Sequence, residues 1–525
     1  MKNKLIILGG DEDNNKIKST FERAKVSDVI LIIGSLSEKF TSEAMVLNCS
    51  IEPKDDIGLA HKFNIFWSEN SDLINYSHLN NTYYFGVASL LNILDYINLI
   101  ISQYSISIIE LLGYHDKKYI PLYATSWGES SKAAFINVSE FINPFIIDAF
   151  SDKVKIESSK PKLISFIRFT ARIFSITTLT TLRQLVKVRL RNKKNNKEIN
   201  IKYLCVIRSK HQLSNFKNIF SKVQGDCLIL ESEMLSSNEL LRQINKTNLN
   251  YTSLFDGPSA VLILFKSYIV CLFKLLTLCL NKKKIVIERK DYSLCIPYQS
   301  IAIDTYIQPA LVSYEKLLEK KIKSLDNKPE RLISFEQVSP QAFIESKVAN
   351  KLNIPSVGIK TTLIQPIAIP LIGPFDKFLV NTGVELDDAK ANSVARDDHI
   401  KFEGNVKNTR LFERFRSKKV TKLNCILYAS QPHLIEDNLT IIDSLLDTVS
   451  GSNINIKIRP HPRDKTLYDK YNNEPCITIS YDEELASLIL DSDLLISRTS
   501  TVLEESIYLG TPFISCCLSD KDRSY

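Results

Sequence analysis

The stretch that decides the fold lies near the end of the chain, at residues 494–516, and reads Leu-Leu-Ile-Ser-Arg-Thr-Ser-Thr-Val-Leu-Glu-Glu-Ser-Ile-Tyr-Leu-Gly-Thr-Pro-Phe-Ile-Ser-Cys. Its apolar start, Leu494 to Ser497, predicts a strand, and the apolar spacing from Val502 to Leu509 predicts a helix. Gly510 is the residue type that ends helices, and Phe513 to Cys516 reads as a second strand. A strand, a helix and a strand joined by short turns predict a βαβ unit in a parallel sheet.

The same alternation of strand and helix patterns runs outward from this stretch. Cys425 to Ala429 and Ile454 to Ile458 read as strands that flank a helix at Leu439 to Val449. An earlier series of the same kind begins at Tyr203, and residues 4–34 read as strand, helix and strand. The sequence therefore predicts an α/β protein with two doubly wound, parallel-sheet lobes after an additional N-terminal α/β domain.

Pattern and composition divide the 525 residues into four parts. Residues 1–150 are predicted to form the N-terminal α/β domain, and residues 151–200 a basic amphipathic linker. Residues 201–375 are predicted to form the first doubly wound lobe, and residues 376–525 the second.

Composition excludes several classes of protein. Apolar residues make up 44% of the chain and charged residues 24%, so the chain can build packed cores and is not intrinsically disordered. None of the ten cysteines forms a Cys-x-x-Cys pair, which favours reduced thiols and a cytoplasmic protein. The apolar run from Leu5 to Leu8 is too short for a signal peptide.

The charge is uneven because one segment is strongly basic. Residues 151–200 hold 13 Lys and Arg against 3 Asp and Glu, a net charge of +10, while the whole chain carries +8. Apolar residues such as Phe166, Phe169 and Phe174 are interleaved with these cations. Such a segment suits an anionic membrane surface, and a solvated helix packed across two domains is the open alternative. A local patch of this kind does not predict nucleic-acid binding.

Residues 259–280 are almost entirely apolar and long enough to span a membrane. Their polar side chains fall on one narrow stripe of a helix, and Lys266 and Lys274 would each cost ~2.5–3.5 kcal/mol at the bilayer centre. The stripe favours a helix at a domain surface or in the membrane interface, and a true span is the alternative. With the basic segment, it predicts peripheral association with the inner face of the plasma membrane.

Polar residues follow three predicted strands of the last lobe, at the edge where ligands bind in such folds. In chain order they are Ser430, Gln431, Arg459, His461, Ser500 and Thr501. The free N–H groups of a helix start, together with hydroxyls and a histidine held between two prolines, are suited to bind an anion.

Taken one at a time, these residues also have explanations that need no ligand. Thr501-Val-Leu-Glu504 is also a capping box, which satisfies a helix start by itself. Pro460 and Pro462 can simply end a strand. Three polar strand ends at one edge nevertheless favour a binding site, in which Glu504 and Glu505 are candidates to accept hydrogen bonds from ribose hydroxyls.

Residues 330–517 resemble bacterial GT-B glycosyltransferases of capsular and surface polysaccharide biosynthesis, and are similar to polysialyltransferases and CDP-glycerol glycerophosphotransferases. The matching motifs are Ile-Lys-Ile-Arg-Pro-His-Pro at 456–462 and the Ser/Thr motif with its Gly-Thr-Pro end at 497–512. The resemblance implies a GT-B-like pair of Rossmann-type lobes. It also implies that His461, Ser500 and Thr501 bind the phosphate of the donor nucleotide.

The same resemblance implies that Glu505 contacts the donor ribose. Relatives often carry Gln-His-Gly after the strand that matches residues 354–359, where this chain has Lys360-Thr-Thr, a departure on the acceptor side. The chain ends 13 residues after Pro512, whereas such lobes continue through further elements, so a truncated last lobe is expected.

The predicted reaction is transfer of a sugar from a nucleotide-activated donor to a glycan or lipid-linked acceptor. His461, together with Arg459, would stabilise the leaving phosphate, so neither a metal nor another cofactor is expected. The base should be a carboxylate of the first lobe. Glu336, after the strand 332–335, is the candidate and Asp256 the reserve, although both residues also suit caps and turns.

Two other functions stay open at this point. A nucleotide-sugar 2-epimerase has a similar second lobe, but its usual Gly-Thr-Arg-Pro start is absent from residues 205–211. A non-catalytic, membrane-associated protein of polysaccharide assembly is also compatible with the unmatched first domain.

Overall fold

The computed structural model describes residues 3–9, 14–33, 40–49, 80–112, 138–158, 201–215, 225–232, 239–255, 258–280, 284–297, 308–335, 340–360, 375–392, 397–404, 409–416, 422–431, 435–461, 468–498 and 500–518, together with the single residues 178, 182, 219, 220 and 223.

The first sheet is formed by five parallel strands. They are β1 Asn3–Gly9, β2 Val29–Ile33, β3 Met45–Cys49, β4 Ile106–Leu111 and β5 Lys155–Ser158. The helices of this part are α1 Asn14–Arg23, α2 Asn80–Gln103 and α3 Val138–Phe150. The strand order is β3-β2-β1-β4-β5. Every residue of β2 is buried, as expected for a Val/Ile/Leu run in a parallel sheet with helices on both faces.

The middle sheet has seven parallel strands and lies between residues 203 and 402. The strands are β6 Tyr203–Ile207, β7 Cys227–Glu231, β8 Tyr251–Ser253, β11 Arg331–Ser334, β12 Ser356–Ile359, β13 Lys377–Val380 and β14 Ile400–Phe402. A separate antiparallel hairpin is formed by β9 Lys284–Glu288 and β10 Ser293–Pro297. The helices are α4 Lys210–Asn215, α5 Glu239–Ile244, α6 Pro258–Leu280, α7 Gln308–Lys323, α8 Pro340–Lys351 and α9 Gly383–Asn392, and a 3₁₀ turn spans Asp397–His399. The strand order is β14-β13-β12-β11-β6-β7-β8.

The last sheet has five parallel strands in the order β17-β16-β15-β18-β19. They are β15 Cys425–Ala429, β16 Asn455–Arg459, β17 Ile477–Ile479, β18 Leu494–Ser497 and β19 Phe513–Ser515. The helices are α10 Thr409–Phe412, α11 Ile435–Val449, α12 Leu485–Asp491 and α13 Thr501–Leu509, and a 3₁₀ turn spans Asp469–Tyr471.

The predicted fold class is confirmed. Both later sheets start from a central strand, add neighbours on one side and then reverse to the other side, which is the Rossmann-type order. The protein is therefore α/β, with a GT-B-like pair of Rossmann-type lobes after an additional N-terminal parallel sheet.

Two predicted domain boundaries are wrong. Strands β13 and β14 pair with β12 in the middle sheet, so residues 377–402 do not begin the last lobe, whose sheet starts at Cys425. Strand β5 pairs with β4, so the first sheet reaches Ser158 rather than ending at residue 150. Local patterns locate a strand, but its partner depends on residues far away in the chain.

The first sheet and the middle lobe share one apolar core. A continuous cluster of buried side chains runs from Leu5 and Ile97 of the first part to Leu294 and Leu332 of the middle lobe. At the junction, the Tyr292 hydroxyl donates to Asp95 at 2.7 Å, and burial together with this bond raises the pKa of the tyrosine. The two parts therefore pack as one body, while the last lobe has apolar clusters of its own.

Helix α6 packs against α7, which favours the predicted surface or interfacial helix. Among the residues that the structure describes, none of the helices combines the length and hydropathy that a membrane span requires. The predicted polar stripe is only partly exposed, because Ser267 is completely buried while Lys266 faces outward.

Candidate functional site

The switch point of the last sheet lies between β15 and β18. Strand β15 has β16 on one side and β18 on the other, and Ala429 is in register with both Arg459 and Ser497. All three strands therefore end at the same edge. In open α/β sheets, ligands bind outside the carboxyl ends of the strands at the point where the strand order reverses.

Ser430 and His461 are in direct contact at this edge. The backbone N–H of His461 donates to Ser430 Oγ at 2.8 Å, and the backbone N–H of Ser430 donates to the Arg459 carbonyl at 3.1 Å. Ser430 is buried, while His461 is partly exposed. Ser430 thus fixes the chain direction after β16, and His461 is left at the surface of the crevice.

Asn438, on α11, holds the turn that follows β15. Its Nδ2 donates to the Gln431 carbonyl at 2.7 Å, and its Oδ1 accepts from the buried Tyr428 hydroxyl at 2.8 Å. Burial raises the pKa of Tyr428, which keeps this hydroxyl a donor. Sequence analysis missed Asn438; an amide at the start of an amphipathic helix is too common to indicate this role.

Strand β18 ends in a serine and a buried arginine. Ser497 Oγ donates to the Ala429 carbonyl at 2.7 Å, which ties the two central strand ends together. Arg498 is only 3% exposed, and its Nη2 lies 3.3 Å from Asp437 Oδ2. Sequence analysis did not single out Arg498 or Asp437, because their pairing joins positions 61 residues apart.

Helix α13 begins at the same edge, one residue earlier than expected. Ser500 is its N-cap and accepts from the Val502 backbone N–H, so Thr501 is the first helical residue. The predicted capping box with Thr501 as the cap is therefore wrong. The extended backbone of Ser500 lets its hydroxyl turn back over the helix start, which leaves Thr501 free to enter the first turn. Glu504 and Glu505 lie in the first two turns and are partly exposed.

Gly510 ends α13 in the left-handed conformation, as predicted, with φ of 80°. A Cβ added there would lie 2.4 Å from the Arg416 carbonyl oxygen, so the glycine also permits close packing. The Arg416 backbone N–H donates to the Leu509 carbonyl at 3.2 Å. The segment before β15 thus anchors the far end of the helix.

Of the remaining predicted site residues, some are described and have other contacts or partial exposure. The others lie outside the described residues. Arg459 donates from Nη1 to the Ser480 carbonyl at 2.9 Å, so part of its guanidinium braces the end of β17. Gln431 is partly exposed beside Ser430. The candidate bases Glu336 and Asp256 lie outside the described residues, as does most of the basic segment 151–200.

The equivalent switch point of the middle sheet is filled by its own side chains. Arg208 follows β6, and its Nη2 donates to both carboxylate oxygens of Glu345 at 2.7 and 2.8 Å and to Ser334 Oγ at 3.2 Å. The Tyr314 hydroxyl donates to the same carboxylate at 2.5 Å, and burial and that carboxylate raise its pKa. Arg208 is 11% exposed and Glu345 is fully buried. This cluster was not predicted from the sequence.

Lys360, which follows β12, is also internal. It is fully buried and forms an ion pair with Glu385. Glu385 also accepts from the Asn381 backbone N–H at 2.9 Å. Among the described residues, no three His, Cys, Asp or Glu side chains come close enough to hold a metal ion.

Comparisons with known proteins give only distant likenesses. No protein family and no curated protein sequence matches the chain. Among solved structures, it is similar to a UDP-GlcNAc 2-epimerase from Methanocaldococcus jannaschii, with 15% identity, a TM-score of 0.36 and coverage of 60% of this chain and 82% of that one. At such values a likeness carries no information about activity.

Two further structures give similar values. The UDP-GlcNAc 2-epimerase from Neisseria meningitidis, bound to UDP-GlcNAc, is 13% identical with a TM-score of 0.38, and 62% of this chain covers 85% of it. MurG from Acinetobacter baumannii is 12% identical with a TM-score of 0.33, and 62% of this chain covers 80% of it.

Proposed function

We propose that this protein is a glycosyltransferase that moves a sugar, or a sugar-like group, from a nucleotide-activated donor to a bacterial surface or capsular polysaccharide. One observation carries the proposal. Ser430, His461 and the start of α13 at Ser500 all lie at the switch point of the last sheet, where an anionic ligand of an α/β fold binds.

The donor diphosphate fits this edge chemically. The first N–H groups of α13 carry the positive end of the helix dipole, and the hydroxyls of Ser500 and Thr501 and the imidazole of His461 add hydrogen-bond donors. Negative charge grows on the leaving phosphate as the bond to the sugar breaks. Donors fixed at that position stabilise the transition state more than the ground state.

Buried polar contacts keep these groups in position. Ser430 and Asn438 hold the two turns beside His461, and the Arg498–Asp437 pair joins the residue after β18 to α11. Arg459, whose guanidinium donates to the Ser480 carbonyl, is the residue that we expect to add positive charge near the diphosphate. Pre-positioned donors need little reorganisation during the reaction.

The base is assigned to the middle lobe, and the contacts with the donor ribose are assigned to α13 of the last lobe. Glu336 is the proposed base for the acceptor hydroxyl, with Asp256 in reserve, and Glu504 and Glu505 accept from the donor ribose. A metal is not needed in this scheme, because protein donors neutralise the leaving group. The acceptor is a glycan or a lipid-linked glycan, which places the protein in the cytoplasm at the inner face of the membrane.

Calorimetric titration with UDP, CDP and GDP tests the donor site. Loss of a charge-assisted hydrogen bond costs ~1.5–3 kcal/mol, so His461→Ala should weaken binding of the preferred nucleotide on the order of 10- to 100-fold. His399→Ala is the matched control, because His399 lies in the middle lobe and bonds to the Phe375 carbonyl at 2.9 Å. Unchanged affinity in a folded His461→Ala protein would remove the assignment.

The reaction itself is tested by incubating the protein with a labelled nucleotide sugar. Mass spectrometry of nucleotides that co-purify with the protein selects the donor to label. Transfer to glycan or release of free sugar supports the proposal. Isomerisation at the sugar C2 would indicate an epimerase, and nucleotide binding without turnover would indicate a non-catalytic role.

A further inference from the structure

Helix α6 presents two unlike faces. Ala260, Leu264 and Ser267 are completely buried and lie on the side that packs toward the core and α7. At 100° per residue these three positions fall within one narrow arc. The buried side explains how the helix packs in the fold. It does not explain why the residues on the opposite side are exposed.

The opposite side is exposed and almost entirely apolar. Leu262 is 56% exposed, Phe265 54% and Phe273 66%, and Ile269 and Val270 are exposed as well. These positions lie within about 140° of one another around the helix. The distance along the axis from Leu262 to Phe273 is about 16 Å. A continuous apolar stripe of this kind marks an interaction surface rather than ordinary surface variation.

The charges on this helix are cationic. Helix α6 contains two lysines and no acidic residue, and Lys266 lies within the exposed stripe. Thr178, a single described residue of the sequence segment 151–200, contacts the same helix, since its Oγ1 and Tyr268 OH are 2.9 Å apart. Leu182, four residues later in the sequence, is 51% exposed. Apolar side chains flanked by cations match the two components of an anionic bilayer surface.

We propose that the exposed face of α6 binds an anionic lipid membrane, with the helix lying parallel to the surface. Leu262, Phe265, Ile269 and Phe273 enter the boundary between headgroups and acyl chains, while Lys266 extends toward lipid phosphates. The charge of Lys266 makes part of this attraction salt-sensitive. The assignment concerns a different surface from the nucleotide site and holds whether or not the protein transfers a sugar.

Vesicle flotation tests this surface on the full-length protein. The probes are vesicles of phosphatidylcholine alone and of phosphatidylcholine mixed with phosphatidylglycerol, at low and high salt. The key variant is Phe265→Ser with Phe273→Ser. The matched control is Phe412→Ser, which changes a phenylalanine that is 62% exposed on α10, before the last lobe. Far-UV circular dichroism and nucleotide titration verify that each variant is folded.

Wild type and the Phe412→Ser variant should float with the anionic vesicles, and the double variant should bind on the order of 10-fold more weakly. High salt should weaken wild-type binding without abolishing it, because apolar insertion does not depend on ionic strength. Equal binding of the double variant and wild type would overturn the proposal. A dimer that the double variant disrupts, without vesicle binding by wild type, would instead assign the face to a second copy.

Discussion

The middle and last sheets present the same topology at their switch points but opposite chemistry. In the middle sheet, the residue after the first strand is Arg208, and its guanidinium is satisfied by the buried carboxylate of Glu345. In the last sheet, the equivalent residue is Ser430, which binds the backbone of His461 and leaves the imidazole partly exposed. One switch point is filled by an internal ion pair, whereas small polar side chains and the start of a helix lie at the other.

This difference teaches that topology locates a possible site, whereas the residues at the strand ends decide whether the site is available. Ser334 and Ser497 both end the second central strand, yet Ser334 accepts from an arginine and Ser497 donates to a neighbouring carbonyl. At the switch point of the middle sheet, Arg208 and Glu345 form a buried ion pair. The switch point of the last sheet has small polar groups and the start of a nine-residue helix.

The largest expected effect comes from breaking the middle cluster. Glu345→Gln leaves the buried Arg208 without its carboxylate, which should lower the free energy of unfolding by about 3–5 kcal/mol. Urea denaturation followed by circular dichroism measures the change. Removing the charge as well, in Arg208→Met with Glu345→Gln, should restore most of the stability. A double variant no more stable than Glu345→Gln would show that the pair is not the main contribution.

The second-largest effect is expected at Gly510, the residue that ends α13. Gly510→Ala adds left-handed strain and a contact with the Arg416 carbonyl, so we expect a loss of about 2–4 kcal/mol of unfolding free energy. Gly404→Ala is the matched control, because its φ is 95° but no atom lies within 4 Å of the added Cβ. That variant should lose only about 1–2 kcal/mol. Equal losses would mean that close packing at Gly510 contributes nothing.

The smallest effect is expected from removing a solvent-accessible ion pair, in contrast with the buried pair of Arg208 and Glu345. Hydrogen bonds from Lys323 and Lys351 lower the pKa of Glu319 on α7. Because the folded pKa lies below the unfolded one, the stabilisation is complete above the unfolded pKa of about 4.3 and is lost as the pH falls through the folded pKa. Glu319→Gln should cost under about 1 kcal/mol at neutral pH, since solvent weakens such pairs.

Stability curves of wild type and Glu319→Gln, measured by urea denaturation between neutral and acidic pH, verify this sign. The two curves should converge in acid. A gap that widened as the pH fell would contradict the assigned direction of the pKa.

Much of the last lobe was predictable from local sequence. Strand β18 was predicted at its observed bounds, and α13 was predicted with an error of one residue at its start. Alternation of apolar residues and the glycine at the helix end are local signals, so a single sequence carries them. Convergence of the strand ends followed from parallel topology.

The rest depends on contacts between distant positions. Arg208 and Glu345 are 137 residues apart, and neither lies in a pattern that indicates its partner. Strands β13 and β14 were assigned to the last lobe because strand patterns do not specify which sheet they join. The exposed apolar stripe of α6 was missed for a related reason, since an almost entirely apolar helix does not indicate which of its apolar residues the core covers.

The most direct measurement of the central claim is hydrogen–deuterium exchange with and without a saturating concentration of the preferred nucleoside diphosphate. The nucleotide should slow exchange in peptides that cover residues 429–431, 459–461 and 500–504. Peptides that cover residues 207–212 and 334–345 should exchange at unchanged rates, because the Arg208–Glu345 pair already fills that switch point. Protection in the middle lobe, with none around His461 and the start of α13, would contradict the account.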